Sequence, residues 1–180
     1  MMRKFRLSWK NYIFQSFLVG LAIFLVLLFL EIEHSIVISA IGATAFIVFA
    51  MPHNVTANSR HVIGGHLISF SIGALCALIP QPSLWYSIMA YSLAVGLSIF
   101  IMVVIDVGHP PAAATALGLA ITGFSLDAAI TVVTSAALLS LAHHFLKPLL
   151  EKFSIRPIKV TNSVTQTYKS AARRIEEVSA

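Results

Sequence analysis

The sequence predicts an all-α membrane protein, a bundle of about six transmembrane helices. Of its 180 residues, 58% are hydrophobic and 11% are charged, whereas a soluble domain carries about 25% charged residues. A fold of this length has too much surface to hide so much apolar material. Four basic residues lie in positions 1–11 and seven in positions 147–180, and Arg60 is the only one between them. An apolar middle with basic ends indicates a polytopic membrane protein rather than a soluble enzyme or a nucleic-acid-binding chain.

Six apolar blocks follow one another, separated by polar or proline-containing breaks. We expect them at about 12–30, 35–51, 62–79, 84–105, 112–124 and 128–145. The first resembles a signal peptide, but it is longer than a signal core and residues 31–34 offer no small-residue cleavage site, so we interpret it as a retained span. Blocks two and five are short, and block five is either a tilted, protein-buried helix or a half-helix that enters from a cavity.

The charges favour counting residues 110–146 as two segments rather than one. With six crossings both termini share one side, and all 12 Lys and Arg residues lie in the cytoplasm, as the positive-inside bias requires. We therefore expect a basic cytoplasmic N-terminus over 1–11, a transmembrane domain over 12–146, and a basic cytoplasmic tail over 147–180 that is in part an amphipathic helix.

A short string recurs in the two short blocks. Residues 42–46 read Gly-Ala-Thr-Ala-Phe, and residues 113–117 read Ala-Ala-Thr-Ala-Leu. If each half of the chain contributes three segments, the halves are inverted repeats, the plan of many secondary transporters, whose sites lie at short helices near the membrane midplane. The alternative is chance recurrence in an alanine-rich chain.

The string His109-Pro110-Pro111 marks the start of block five and the leading candidate site. Proline suits the first turn of a helix, and a helix N-terminus inside the protein favours a small anion. Because prolines remove N–H donors, His109 and Thr115 would supplement them. We expect the counterpart in block two, Ser39, Gly42 and Thr44, to meet this site from the opposite side. The alternative is that the two prolines only end one helix and begin the next at the membrane surface.

A second group of residues is predicted to gate the site or couple it to an ion. A charge at the edge of a span is expensive unless it is used, and adjacent glycines permit close approach. Pairing of Arg60 with Asp106 is expected, although Arg60 is equally explained as a loop anchor. The group consists of Arg60, Gly64, Gly65, His66 and Asp106.

Neither a metal site nor an enzyme is predicted. The seven histidines lack the spacing of a zinc site, and no nucleophile, paired-carboxylate or phosphate-loop motif is present. We therefore expect no cofactor and no catalytic residue.

Three separated motifs resemble the HPP family of integral membrane proteins. They are His109-Pro110-Pro111 with Ala114-Thr115-Ala116-Leu117, Gly42-Ala43-Thr44-Ala45, and Arg60 with Val62-Ile63-Gly64-Gly65-His66. Ser59 and His61 flank Arg60 where the family pattern has Pro and Asn. The resemblance implies a small permease of the bacterial inner membrane, and some family members are associated with nitrite transport.

These observations together predict a small transporter of the HPP type for a small anion such as nitrite, held at the N-termini of short helices 2 and 5. Its expected partners are the lipid bilayer, the anion and a second copy of the chain in a homodimer, but no nucleic acid. The alternative is a structural or regulatory membrane protein that does not transport, whose basic tail binds a partner or anionic lipid.

Overall fold

The computed structural model describes residues 13–21, residue 24 and residues 35–153, and every regular element in that part of the chain is a helix. The all-α prediction is therefore confirmed for these residues. The N-terminus over 1–11, the break at 31–34 and the amphipathic tail beyond 153 lie outside them. The helices are α1 (residues 13–21), α2 (Ser35–Ala50), a short 3-10 helix (Val55–Ala57), α3 (Ser59–Ala77), α4 (Leu84–Val104), α5 (Pro110–Thr122) and α6 (Leu126–Phe153).

The predicted break between residues 110 and 146 is present. Gly123, which has a φ of 81°, ends α5, and α6 begins at Leu126. Glycine suits this left-handed backbone because it has no Cβ to clash with the chain. Residues 110–146 therefore form two helices rather than one long span.

Helix α6 continues through Pro148 to Phe153, beyond position 146, where the predicted transmembrane domain ends. Proline removes one hydrogen bond of the helix. Such a loss is tolerated in membrane helices because neighbouring groups satisfy the freed carbonyl.

Helix α3 is the centre of the bundle. It packs against α4, α5 and α6, while α2 packs against α5 and α6. The four helices α2, α3, α5 and α6 thus share one interior, and α4 covers α3 and α5 from outside. The α2–α3 loop and the α4–α5 loop lie at the same end, because Thr56 of the first loop contacts His109 at the end of the second. The C-terminal part of α6 is at this end too, since Glu151 lies 3.6 Å from His53 of the α2–α3 loop.

Small residues bring α3 and α5 into close contact. A Cβ added at Gly73 of α3 would lie 2.6 Å from the Ala116 carbonyl oxygen of α5, so only glycine fits there. Ala112, Ala116 and Ala120 are buried along the facing side of α5. Such small-residue interfaces are typical of membrane helices, which associate by close packing.

The outside of the bundle is apolar. Two helical stretches, Leu84–Val104 and Leu126–Lys152, are long and apolar enough to cross a membrane, whereas Val37–Ala50 and Pro110–Thr122 are apolar but shorter. Large side chains such as Trp85, Phe100 and Phe145 are more than 60% exposed. Polar side chains are instead buried, and these lead to the candidate site.

Candidate functional site

The Thr44 hydroxyl is the centre of a buried polar cluster. Its Oγ1 lies 2.9 Å from Nε2 of His66 and 3.0 Å from Nε2 of His109. The same oxygen lies 3.0 Å from the carbonyl oxygen of Ala40, one turn earlier in α2. One hydroxyl thus meets side chains from α3 and from the start of α5.

Both imidazole rings have a second partner. Nδ1 of His66 lies 3.0 Å from Oγ1 of Thr115 in α5, and Nδ1 of His109 lies 2.9 Å from the Thr56 carbonyl oxygen in the α2–α3 loop. The side chains of Thr44, His66, His109 and Thr115 are at most 1% exposed. We call these four residues the histidine–threonine cluster.

The two prolines determine where His109 lies. They occupy the first two positions of α5, which leaves His109 as the N-cap residue with an extended backbone, φ −136° and ψ 96°. Its side chain does not cap the helix but reaches into the bundle. Gly65 of α3 makes the space for it, because a Cβ there would lie 2.7 Å from the His109 Cβ. Gly65 is therefore a packing residue of the site, and Gly64 packs in the same way against Val107, at 3.2 Å.

Thr56 is held in place by Asn54, a residue that lies outside the predicted site. The Asn54 side-chain oxygen accepts hydrogen bonds from the Thr56 amide, at 3.1 Å, and from the Thr56 hydroxyl, at 3.0 Å. This is an Asx turn, which the pattern Asn-x-Thr favours. The next carbonyl, that of Ala57, accepts a hydrogen bond from Nδ1 of His143 in α6. The loop thus connects α5 and α6 to α3.

Arg60 and Asp106 lie apart from the cluster, at the loop end of the bundle. The predicted pair is confirmed, with Nη2 of Arg60 3.9 Å from Oδ2 of Asp106 and both side chains exposed, at 65% and 85%. Arg60 also donates to the Ile105 carbonyl at 3.1 Å, and Nδ1 of His61 donates to the Gly108 carbonyl at 3.2 Å. These contacts anchor the α4–α5 loop to α3 and so position the start of α5.

The expectation that two helix N-termini meet in the site is wrong. Helix α2 begins at Ser35, so Ser39, Gly42 and Thr44 lie within the helix; Ser39 is exposed, and Gly42 is only partly buried. In α5, Pro110 and Pro111 have no N–H, and the Ala112 amide donates to the His109 carbonyl at 2.9 Å. The first turn of α5 therefore offers no free donor at these three positions, and the donors of the site are side chains.

The cluster has the chemistry of proton exchange and hydrogen bonding. Imidazole and hydroxyl groups both donate and accept, and the rings of His66 and His109 have centroids 5.3 Å apart. Within the described residues no three His, Cys, Asp or Glu side chains come together as metal ligands.

The buried polar cluster inside an apolar bundle indicates a helical membrane protein. Within that class, the model of the family described as "HPP, transmembrane region" matches residues 4–152, and the chain belongs to this family. A transmembrane protein of Dictyostelium discoideum is 33% identical to the chain over 88 residues, which are 49% of this chain and 31% of that protein. The match thus covers less than a third of that relative. No solved structure matches the chain.

Proposed function

We propose that the chain is a small-solute transporter and that a small anion such as nitrite binds at the histidine–threonine cluster. The observation that supports this most is the burial of four polar side chains, at most 1% exposed, in the middle of an apolar bundle. Polar and ionisable groups inside a membrane are costly and usually mark a substrate or ion pathway.

The anion takes over hydrogen bonds that the members of the cluster make with one another. The hydroxyls of Thr44 and Thr115 and a ring N–H of His66 are donors within reach of one another, at 2.9–3.0 Å. His109 adds a charge-assisted hydrogen bond when it is protonated, so that a proton is taken up with the anion. In this proposal the anion is bound by side chains, and not by the helix-end N–H groups that the sequence predicts as its ligands.

The cluster also supports the inverted-repeat hypothesis. His66 contacts Thr44 through Nε2 and Thr115 through Nδ1, and these are the corresponding threonines of the two Ala-Thr-Ala strings. The two strings therefore meet at one histidine, as expected if two three-segment halves face each other across a central site. We place the transporter in a bacterial inner membrane, as six spans with cytoplasmic termini and as a homodimer, with no enzymatic activity.

A structural or regulatory membrane protein is the second candidate. It is favoured by the position of Arg60 and Asp106, whose side chains are exposed at the end of the bundle, whereas His66 and His109 are buried. In that case the cluster only connects α2, α3 and α5, and the basic tail recruits a partner or anionic lipid.

Uptake into proteoliposomes distinguishes the two candidates. We expect flux of at least one of nitrite, nitrate, formate and chloride in the wild type. Thr44→Val should lower the flux by about tenfold or more, because a lost buried hydrogen bond costs about 1–3 kcal/mol. Thr134→Val is the matched control, since Thr134 is exposed and bonds to its own helix; it should leave flux unchanged. Absence of flux for all four anions in the wild type would contradict a transport role.

A further inference from the structure

We propose that the histidine–threonine cluster is a one-proton switch in which the Thr44 hydroxyl turns between two acceptors, Nε2 of His109 and the carbonyl oxygen of Ala40. Both acceptors lie 3.0 Å from the same Oγ1. A hydroxyl has one proton and two lone pairs, so Thr44 can donate to only one of them at a time. Which one it chooses follows from the partners at the two ends of the cluster.

The neutral cluster has a single consistent arrangement of protons, which is fixed at Thr56. A carbonyl oxygen only accepts, so Nδ1 of His109 carries the proton that bonds it. In a neutral imidazole the other nitrogen is then an acceptor, and Thr44 must donate to Nε2 of His109. The Ala40 carbonyl is left without this proton.

The same reasoning extends to His66. Because the proton of Thr44 is engaged with His109, Nε2 of His66 must donate to Thr44. Nδ1 of His66 is then the acceptor and takes the proton of Thr115. Each group thus donates a hydrogen bond to the next one in the order Thr115, His66, Thr44, His109 and the Thr56 carbonyl. The two histidines have opposite tautomers, with the proton on Nε2 in His66 and on Nδ1 in His109.

Protonation of His109 reverses one bond and breaks none of the others. Nε2 of His109 becomes a donor, and Thr44 accepts from it while its own proton turns to the Ala40 carbonyl. The second lone pair of Thr44 still accepts from His66. A proton therefore enters the cluster without leaving a buried donor or acceptor unpaired, which would otherwise cost about 1–3 kcal/mol.

The imidazolium formed in this way has no carboxylate beside it among the described residues. Asp106, on the loop that precedes His109, is 85% exposed and pairs with Arg60; Thr44, the contact from α2, is uncharged. The other titratable groups on the elements around the site are His53 of the α2–α3 loop, His61, His66 and Cys76 of α3, Tyr86 and Tyr91 of α4, and Asp127, His143, His144, Lys147, Glu151 and Lys152 of α6. If the proposed transport function holds, the anion supplies the missing negative charge, and one proton binds with each anion.

The tautomers can be read without any substrate. The full chain, labelled with ¹⁵N-histidine in lipid nanodiscs, should show neutral His109 protonated at Nδ1 and neutral His66 protonated at Nε2, with signals assigned by His109→Gln and His66→Gln. Acidification should add the proton at Nε2 of His109 while His66 keeps its tautomer. Thr44→Ser should retain this pattern. Thr44→Val should leave neutral His109 protonated at Nδ1, because the Thr56 carbonyl still binds that proton, but should remove the partner that keeps His66 protonated at Nε2. A neutral His109 protonated at Nε2, or uptake of the first proton by His66, would overturn the switch.

The coupling is tested separately, by adding nitrite to the same nanodiscs in weak buffer with a pH indicator. We expect one proton taken up per nitrite bound in the wild type and in Thr44→Ser, and loss of this uptake in Thr44→Val. Nitrite binding without proton uptake overturns the coupling. If nitrite does not bind but the tautomers are as assigned, the proposed nitrite substrate fails while the switch is supported.

Discussion

Gly65 determines how deeply the His109 side chain enters the bundle. Because Gly65 has no Cβ, the α3 backbone can approach the Cβ atom of His109 closely. A Cβ added at Gly65 would lie 2.7 Å from that atom and 3.3 Å from the Met102 sulfur. Sequence alone indicates only that a glycine pair permits close approach. The structure identifies the approaching group as the histidine of the His-Pro-Pro string.

Gly65→Ala should therefore displace His109 and separate it from Thr44. Overpacking of a core site costs about 1–3 kcal/mol, and we expect a lower thermal stability in detergent together with about a tenfold loss of flux. Gly96→Ala is the control, since an added Cβ there meets no atom within 4 Å and alanine is the better helix former. Equal flux for the two variants would show that the position of His109 does not matter for transport.

The candidate site could be predicted in part from single residues. Thr44, His66, His109 and Thr115 were each selected from the sequence, because they are polar residues in apolar surroundings or belong to a recurring string. The Thr56 and Ala40 carbonyls could not be selected, since every residue has a carbonyl and only the fold determines which ones face a histidine. Ser39 was wrongly placed with them, because the start of α2 lies at Ser35 and Ser39 falls on an exposed side.

Helices α3 and α5 approach each other so closely at Gly73 that a Cβ added there would overlap backbone atoms of α5. Gly73 lies against backbone atoms of Ala116, at 2.6 Å and 2.9 Å from a would-be Cβ, and against the Leu119 Cβ at 2.9 Å. Backbone atoms cannot rotate away as a side chain can. The contact lies two turns along α3 from Gly65, so both glycines hold α5 against the same face.

Gly73→Ala should push the two helices apart along their whole contact. We expect a loss of stability at the upper end of the 1–3 kcal/mol range for overpacking, and hence a larger fall in melting temperature than for Gly65→Ala. Thermal unfolding of both variants in the same detergent, beside Gly96→Ala, measures this. A melting temperature equal to that of Gly96→Ala would mean that α3 and α5 are not packed as described.

Helix boundaries were predictable where proline or glycine sets them and not elsewhere. Pro110 and Gly123 bound α5, within two residues of the expected segment at both ends. Pro148 lies inside α6 and does not end the helix, because proline stops a helix only when the surroundings cannot satisfy the carbonyl it frees. The 3-10 turn at Val55–Ala57 was not anticipated, since the sequence there indicates only a polar connection.

At the scale of the whole molecule, the two ends of the bundle differ in character. One end carries Arg60, Asp106 and the pair formed by His53 and Glu151, while the opposite end consists of the α3–α4 and α5–α6 loops. The positive-inside bias predicts that the end with Arg60 faces the cytoplasm. The charges alone give this prediction of orientation. The structure shows that the α2–α3 and α4–α5 loops lie at one end, since Thr56 contacts His109, and which side of the membrane that end faces stays a prediction.

Cysteine accessibility in intact cells checks this orientation. Cys76 is the single cysteine and is buried, so a Cys76→Ala background should fold and react with no thiol reagent. In that background Ser83→Cys, in the turn before α4, should react with a membrane-impermeant maleimide from outside. Asn58→Cys, before α3, should react only after permeabilisation. The reverse result would invert the topology, and equal labelling of both would contradict a membrane crossing by α3.

The length of α5 bears on the surrounding lipid. Its 13 residues extend about 20 Å at 1.5 Å per residue, while the hydrocarbon layer is about 30 Å thick. Helix α4, with 21 residues, matches that layer. Helix α5 is thus shorter than the hydrocarbon layer, and it packs against α2, α3 and α4, so that protein rather than lipid surrounds much of it. A short helix covered by its neighbours needs no thinner bilayer, and its buried N-cap residue His109 can begin it below the level of the membrane surface.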